Sequence, residues 1–340
     1  MEKLGKHDKE IMVAAVISRW RQYNEPISEA PPSALDVAHS EKLRAYMAEA
    51  SPQESLEGQQ KRAHIILTIT ELFREWVRSV CLAKGLPAEV ANNAGGQIYT
   101  SGSYRLGLNE VGMDIDTICV APKHVTRADF FESLQPILED HDSVENLVGV
   151  ATAAVPIITF DFDGINIDLL FAALPLDSIP ETFDINDDHV LSGVDPSTEK
   201  SLNGPRVTNL FEHLVPHFDN FKALVRCVRL WAKRRGLYSN KMGYLGGINC
   251  SILAARICQH YPNAAPSLLL ERFFYILRDW KWPTPMQIAP QYDAGLGFEI
   301  WDPGWKRYEV RLQPPPLPPP PRSPPAPPPP QIPIAPSPAS

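Results

Sequence analysis

Residues 155–174, VPIITFDFDGINIDLLFAAL, restrict the possible folds more than any other stretch of the chain. Apolar and polar residues alternate on both sides of Asp163–Gly164, a dipeptide that closes two-residue hairpin turns. Two antiparallel strands with one buried face are therefore expected. QIYTSGSYRLG (97–107) and DIDTICVAP (114–122) add two further strand candidates, joined by a loop containing Gly107 and Gly112. Helical periodicity surrounds them. One helix is expected at 34–49, opened by Ser33 and Asp36. A second, at 56–83, carries Ile65, Ile66, Ile69, Leu72, Phe73 and Trp76 at helical spacing and ends at Gly85 and Pro87. KHVTRADFFESLQPILED (123–140) reads as a helix, and a short one is expected at 11–23. Between about 185 and 312 helical periodicity returns in VTNLFEHLVPH, FDNFKALVRCVRLWAKRRG, YLGGINCSILAARICQHYP and SLLLERFFYILRDW. The fold class is α+β: a small mixed sheet with helices, bracketed by a mostly helical region.

The 340 residues suffice for two domains, and 44% hydrophobic with 21% charged residues suits a globular chain. No run approaches the roughly 18 apolar residues of a membrane helix, and MEKLGKHDKE lacks the apolar core of a signal peptide, so an intracellular protein with no membrane partner is expected. Cys81, Cys119, Cys227, Cys250 and Cys258 are odd in number, widely spaced and free of any C-x-x-C pair, which suggests neither a zinc site nor a disulfide framework and predicts buried thiols. The net charge is −8, yet residues 200–241 hold nine Lys or Arg against Glu212 and Asp219, about +7 locally. An anionic ligand is expected there. From Pro314 to Ser340, 16 of 27 residues are proline, a composition that cannot pack a core. That tail is either a solvated polyproline extension or a ligand for an SH3- or WW-type groove.

Asp114 and Asp116 are two residues apart in DIDTI, which places both carboxylates on one face if the segment is a strand. One reading has them in solvent on an edge strand. The other has them holding a cation, since two carboxylates so placed repel unless one lies between them. Three features favour the second. Gly102–Ser103 precede the pair, with a glycine that permits close backbone approach and a serine hydroxyl to grip a triphosphate oxygen. Asp168 in INIDLLF projects opposite to Ile165, Ile167 and Leu169. Arg229 and Lys233 are four apart on one helical face, beside Arg226. Three carboxylates on adjacent strands can hold two Mg²⁺ for phosphoryl or nucleotidyl transfer. Trp231 reads as core, and His213 and His217, separated by a proline, are not a ligand pair.

The spacing of G-S, D-x-D and a later D resembles the polymerase-β-like nucleotidyltransferases. GSYRLGLNEVGMDIDTICVAPKHVTRADFF, FDGINIDLLFAALPLDSIPE, SLNGPRVTNLFEHLVPHFDNF, RLWAKRRGLYSNKMGYLGGINCSILAARICQHYPNA and WKWPTPM are similar to the eukaryotic nuclear poly(A) polymerases over about residues 24–304. The resemblance implies transfer of AMP from ATP to an RNA 3′ end, with Mg²⁺ or Mn²⁺ on Asp114, Asp116 and Asp168. It implies that Gly102 and Ser103 hold the terminal phosphates, and that Arg229 and Lys233 neutralise the triphosphate. Asn203, Tyr238, Asn240, Gly246, Gly247 and Ile248 would line the ribose and adenine pocket. Without it, Tyr238 and Asn240 read equally as turn residues and Gly246–Gly247 as a close-packed helix start. It further implies an N-terminal extension (1–23), a discontinuous helical middle domain (24–60 and 185–312), a catalytic domain (61–184) and a Pro-rich tail (313–340). The nucleus, with the cytoplasm as the alternative, is the implied location, and cleavage and polyadenylation factors are the implied partners.

Two departures stand out. Arg229 occupies a position where the family has lysine, which replaces a compact ammonium with a planar fork. The family continues beyond WDPGWKRYEV into an RNA-binding domain, where this sequence has polyproline. A truncated isoform, a diverged paralogue and a gene model reading through an intron all accommodate that, and a weakened hold on RNA is expected. The alternative functions are a weakly active or inactive paralogue acting as a binding protein, and a terminal transferase of different nucleotide preference such as a uridylyltransferase.

Overall fold

The computed structural model describes residues 25–282, 284–290 and 294–298. The helix expected at 11–23 and the Pro-rich tail lie outside them. Helix α1 is Ala34–Ala50, and Ser33 and Asp36 close the reciprocal cap expected of them. Helix α2 is Leu56–Ala83, with its apolar stripe Ile65, Ile69, Phe73 and Trp76 fully buried. Gly85, at φ +80°, turns the chain out of it. Short helix α3 (Ala88–Asn93) leads into strand β1 (Gln97–Thr100), helical turn α4 (Gly102–Arg105) and strand β2 (Ile115–Ala121). A segment α5 follows in three pieces, Arg127–Asp129, a wider π-turn Phe130–Leu134 and Gln135–Glu139. Strands β3 (Val144–Val150), β4 (Ile157–Phe162) and β5 (Ile165–Ala173) complete the sheet. Asp163 and Gly164 both have positive φ, as the two-residue hairpin turn demands.

The strand order is β1-β2-β5-β4-β3, with β2 and β5 parallel and every other pair antiparallel. Three expectations about the sheet change. The strand expected at 97–107 ends at Thr100, because Gly102 takes φ +61° and starts a helical turn. Asp114 precedes β2 rather than lying within it. Strand β3 has no counterpart in the sequence reading: it is a largely exposed edge strand whose pairing slips between Glu145 and Val148, so no clean alternation marks it.

One face of the sheet packs on α2 and α5 through Ile115, Cys119, Ile158, Phe160, Ile167, Leu169 and Phe171. The other face carries Ile118, Val120 and Ala172 under Leu202 of α6 (Pro196–Leu214), eleven residues longer at its N-terminus than the expected VTNLFEHLVPH start at 207. Helices α7 (Phe218–Arg234), α8 (Gly247–His260) and α9 (Pro266–Asp279) form a second core around Phe211, Phe221, Val225, Ala254, Ile257 and Phe273. The N-terminal segment docks on that helical half: Ile27 N–H donates to the His260 carbonyl at 2.8 Å, and Ser40 and Ser267 hydroxyls bond at 2.9 Å. All five cysteines are buried free thiols, as composition predicts. Among the described residues no helix is long and apolar enough to cross a membrane.

Candidate active site

The parallel register of β2 and β5 sets Asp116 directly beside Asp168. Their odd-numbered neighbours, Ile115, Ile167 and Leu169, sink into the α2 layer, so both carboxylates emerge on the opposite face, beyond the edge of the α6 patch. Asp114 stands exposed one residue ahead of β2. Carboxylate oxygens of Asp114, Asp116 and Asp168 lie within 4.8 Å of one another.

Burial, followed by the charges of Asp114 and Asp168, pushes Asp116 up to about 7, against an opposing pull from Arg229. Burial also raises Asp168, and Asp114 adds to it, while a hydrogen bond with Thr159 and the charge of Lys241 oppose the rise. Such a cluster has too much negative charge in too little water. Oxygen-only donors with unneutralised charge match a hard divalent cation and not a thiophilic metal, so the residues fit the metal that the sequence implies.

Gly102 lies against this cluster. A Cβ at that position would stand 2.1 Å from Asp116 Oδ2. The Ser101 N–H donates to the Asp116 carbonyl at 2.8 Å, and the Gly102 N–H donates to Thr208 Oγ1 at 3.2 Å. Ser103 follows, buried. The Gly102–Ser103 turn is thus fixed to the aspartates on one side and to α6 on the other.

The basic pair comes from α7. Arg229 is buried and Lys233 half-exposed, and each reaches Oε2 of one buried carboxylate, Glu110, at 3.3 Å. Both cations also lie over the Tyr238 ring, at 5.6 and 5.5 Å from its centroid. Burial raises the Tyr238 phenol, so it stays protonated. Gly247 opens α8 against that phenol: a Cβ there would sit 3.3 Å from Tyr238 Oη and 3.8 Å from Arg229 Nη1. A Cβ on Gly246 would sit 3.3 Å from Asn240 Cβ. Exposed Ile248 follows on the same turn. The fold therefore gathers Arg229, Lys233, Tyr238, Asn240, Gly246 and Gly247. Asn203 is turned aside, its Nδ2 donating to Glu199 at 2.7 Å, although the next residue, Gly204, packs on Ser101 Oγ.

Sequence reasoning missed Glu110 and gave Lys241 and Thr159 no role. Glu110 is more than a hundred residues from its cationic partners, and Thr159 meets Asp168 only through the β4–β5 register. Neither pairing leaves a local pattern. Two clefts of about 400 and 600 Å³ lie along α1 and α7, and neither is lined by these aspartates.

A family model, the poly(A) polymerase nucleotidyltransferase domain, matches residues 24–215, and the poly(A) polymerase central domain matches 220–316. The chain belongs to the poly(A) polymerase family. It is 44% identical over 292 residues to "Poly(A) polymerase" of Dictyostelium discoideum, covering 85% of this chain and 36% of that protein. It is 43% identical over 281 residues to "Nuclear poly(A) polymerase 1" of Arabidopsis thaliana, covering 82% and 39%. The chain thus spans little more than a third of the curated relatives it matches. The solved polymerase core of TRAMP, an RNA surveillance complex, aligns with 76% of this chain and 69% of its own at 18% identity and a TM-score of 0.47. In poly(A) polymerase terms the candidate site draws on both matched regions. The aspartates, Gly102, Ser103, Glu110 and Asn203 come from the nucleotidyltransferase domain, and Arg229 through Ile248 from the central domain.

Proposed function

We propose that this chain transfers AMP from ATP to the 3′-hydroxyl of RNA and releases pyrophosphate. The observation that carries the reading is the β2–β5 register, which sets Asp116 beside Asp168 with Asp114 within reach and leaves the cluster short of positive charge.

Asp114, Asp116 and Asp168 would hold Mg²⁺ or Mn²⁺. When bound, the metal supplies charge neutralisation at the α-phosphate and a lowered pKa for the attacking hydroxyl. Asp168 takes the proton as the 3′-oxygen forms its bond to the α-phosphorus. The bond from that phosphorus to the bridging oxygen breaks, and pyrophosphate leaves with the electron pair. Charge grows on the leaving group, where Arg229 and Lys233 offset it. Gly102 and Ser103 receive the terminal phosphates in a turn rigidly attached to Asp116. Tyr238, Asn240, Gly246, Gly247 and Ile248 receive the ribose and adenine, with Asn203 joining them on release from Glu199; bare glycines at 246 and 247 leave space for a flat ring that a side chain would fill.

The N-terminal contacts of Ile27 and Ser40 with the helical half support residues 24–60 and 185–312 as one discontinuous domain around a catalytic 61–184. Relatives named as nuclear poly(A) polymerases support the nucleus as the location.

Incubation of the protein with an oligo(A) primer, Mg²⁺ and each single nucleoside triphosphate tests the reading. ATP is expected to be incorporated in preference to CTP, GTP and UTP. Preference for UTP would replace it with uridylyl transfer, and no incorporation of any nucleotide would replace it with a binding role.

A further inference from the structure

Two cations four residues apart on one helix repel each other, yet Arg229 and Lys233 converge here on one oxygen. Glu110 makes that possible, but the two contacts are loose. Both are 3.3 Å, whereas Arg62–Glu54, Arg206–Asp188 and Lys123–Asp177 in the same chain are all 2.6 Å. A charge-assisted contact that long is weakly held and readily exchanged.

The partners differ in how free they are to exchange. The Arg229 and Glu110 side chains are each 10% exposed, and that of Lys233 is 49% exposed. Arg229 Nε is buried with no hydrogen-bond partner, and Glu110 is the carboxylate its guanidinium pairs with, so this buried cation has little freedom to leave. Glu110 is also fixed from behind. Its backbone pairs with Gln53, and the Glu54 N–H donates to the Asn109 carbonyl at 2.7 Å. Glu54 in turn accepts from buried Arg62 of α2. Lys233 is the one member of the trio with a flexible stem and access to solvent.

We infer that Glu110 is a positioning residue that holds Arg229 in place and serves as a temporary counter-ion for Lys233, which alone leaves it for the β- and γ-phosphates of the incoming nucleotide. The inference rests on the reading of Arg229 and Lys233 as the triphosphate cations. Its consequence is that every triphosphate, and the pyrophosphate product, competes with an internal carboxylate. The carboxylate holds Lys233 out of the empty site at the expense of nucleotide affinity.

Glu110→Gln removes the competing charge while keeping the side-chain shape and an amide oxygen that still accepts from Arg229. A half-exposed ion pair contributes little, so Kd for pyrophosphate with Mg²⁺, read by calorimetry, is expected to fall about 2- to 5-fold. KM for ATP falls by the same factor, and the affinity for AMP, which lacks the outer phosphates, does not move. In a Lys233→Gln background, Glu110→Gln loses its effect on pyrophosphate. Unfolding of Glu110→Gln shifts the test to Glu110→Asp, which keeps a charge in the buried pocket but draws it back by one methylene; a smaller fall in Kd is expected. Unchanged or weaker pyrophosphate binding in the folded variant, or an equal gain in the absence of Lys233, overturns the inference. Failure of the wild-type chain to bind pyrophosphate overturns instead the assignment of the two cations.

Discussion

Asp116→Asn is expected to lower AMP incorporation about 10³-fold and, at the same time, to stabilise the metal-free protein. The activity loss follows from removing a ligand that joins the other two aspartates: metal-assisted charge stabilisation supplies several kcal/mol of barrier reduction, and about 4 kcal/mol is a factor of 10³. The stability gain follows from the same geometry. Asp116 is pressed between burial and two like charges, and no hydrogen bond to its carboxylate occurs among the described residues. The neutral amide removes the repulsion, a gain on the order of 2 kcal/mol. Primer extension and thermal melting in EDTA measure both sides. Asp114→Ala is expected to match the activity loss with a smaller stability gain, because Asp114 is itself exposed and only its charge on Asp116 and Asp168 is relieved. An Asp116→Asn protein with wild-type activity would remove the triad from the chemistry.

The same carboxylate sets a pH dependence. Its folded pKa of about 7 lies above its ordinary value of 3.8, so between the two the folded chain binds a proton that the unfolded chain does not. Stability from this group therefore falls as pH rises from 3.8 to 7. His260 acts in the opposite sense: burial, with Arg256 adding to it, lowers it from 6.5 to about 4, so its contribution is lost as pH falls through that window. The two nearly oppose each other in the wild type. Subtracting the Asp116→Asn denaturation series from the wild-type series in EDTA isolates the aspartate, and the difference is expected to grow steadily from pH 4 to pH 7. Saturating Mg²⁺ is expected to reduce it, because the cation favours the charged carboxylate that protonation would remove. A difference independent of pH would place Asp116 in an environment without strain.

What the sequence discloses about this chain depends on whether a feature is local. The α2 stripe, the Ser33–Asp36 cap and the Asp163–Gly164 turn are short-range patterns, and each element stands where its pattern puts it. The edge strand β3 is largely exposed, and its two partly buried residues, Val144 and Leu147, are three apart across a bulge, so no period-2 alternation records its inner face. Within the site, the D-x-D spacing and the Asp168 alternation disclose the carboxylates. Their register, which makes them a cluster, is fixed by the apolar residues of β2 and β5 packed beneath and not by any local spacing. Glu110 is the extreme case. It is one acid in a loop, and its meaning depends wholly on a helix that begins more than a hundred residues later.

Gly102→Ala is the second large effect expected, and it separates two reasons for a glycine. With φ at +61°, alanine costs roughly 1–2 kcal/mol of backbone strain wherever it stands in such a conformation. At Gly102 the new Cβ would also overlap Asp116 Oδ2, 2.1 Å away. The Ser101 N–H bond to the Asp116 carbonyl holds the two backbones together, so the turn cannot retreat and the carboxylate must rotate. Displacing a reacting group by about 1 Å costs about 10²-fold in rate. Gly107→Ala is the matched control. Its φ is +66°, with nothing within 4 Å of the added Cβ, so it carries the backbone strain alone. Both variants are expected to melt lower by a few degrees, roughly 2–4 °C per kcal/mol, while the fall of about 10²-fold in AMP incorporation is confined to Gly102→Ala. Equal activity in the two would mean that Asp116 tolerates the contact, and that the glycine of the G-S pair is there for the turn and not for the carboxylate.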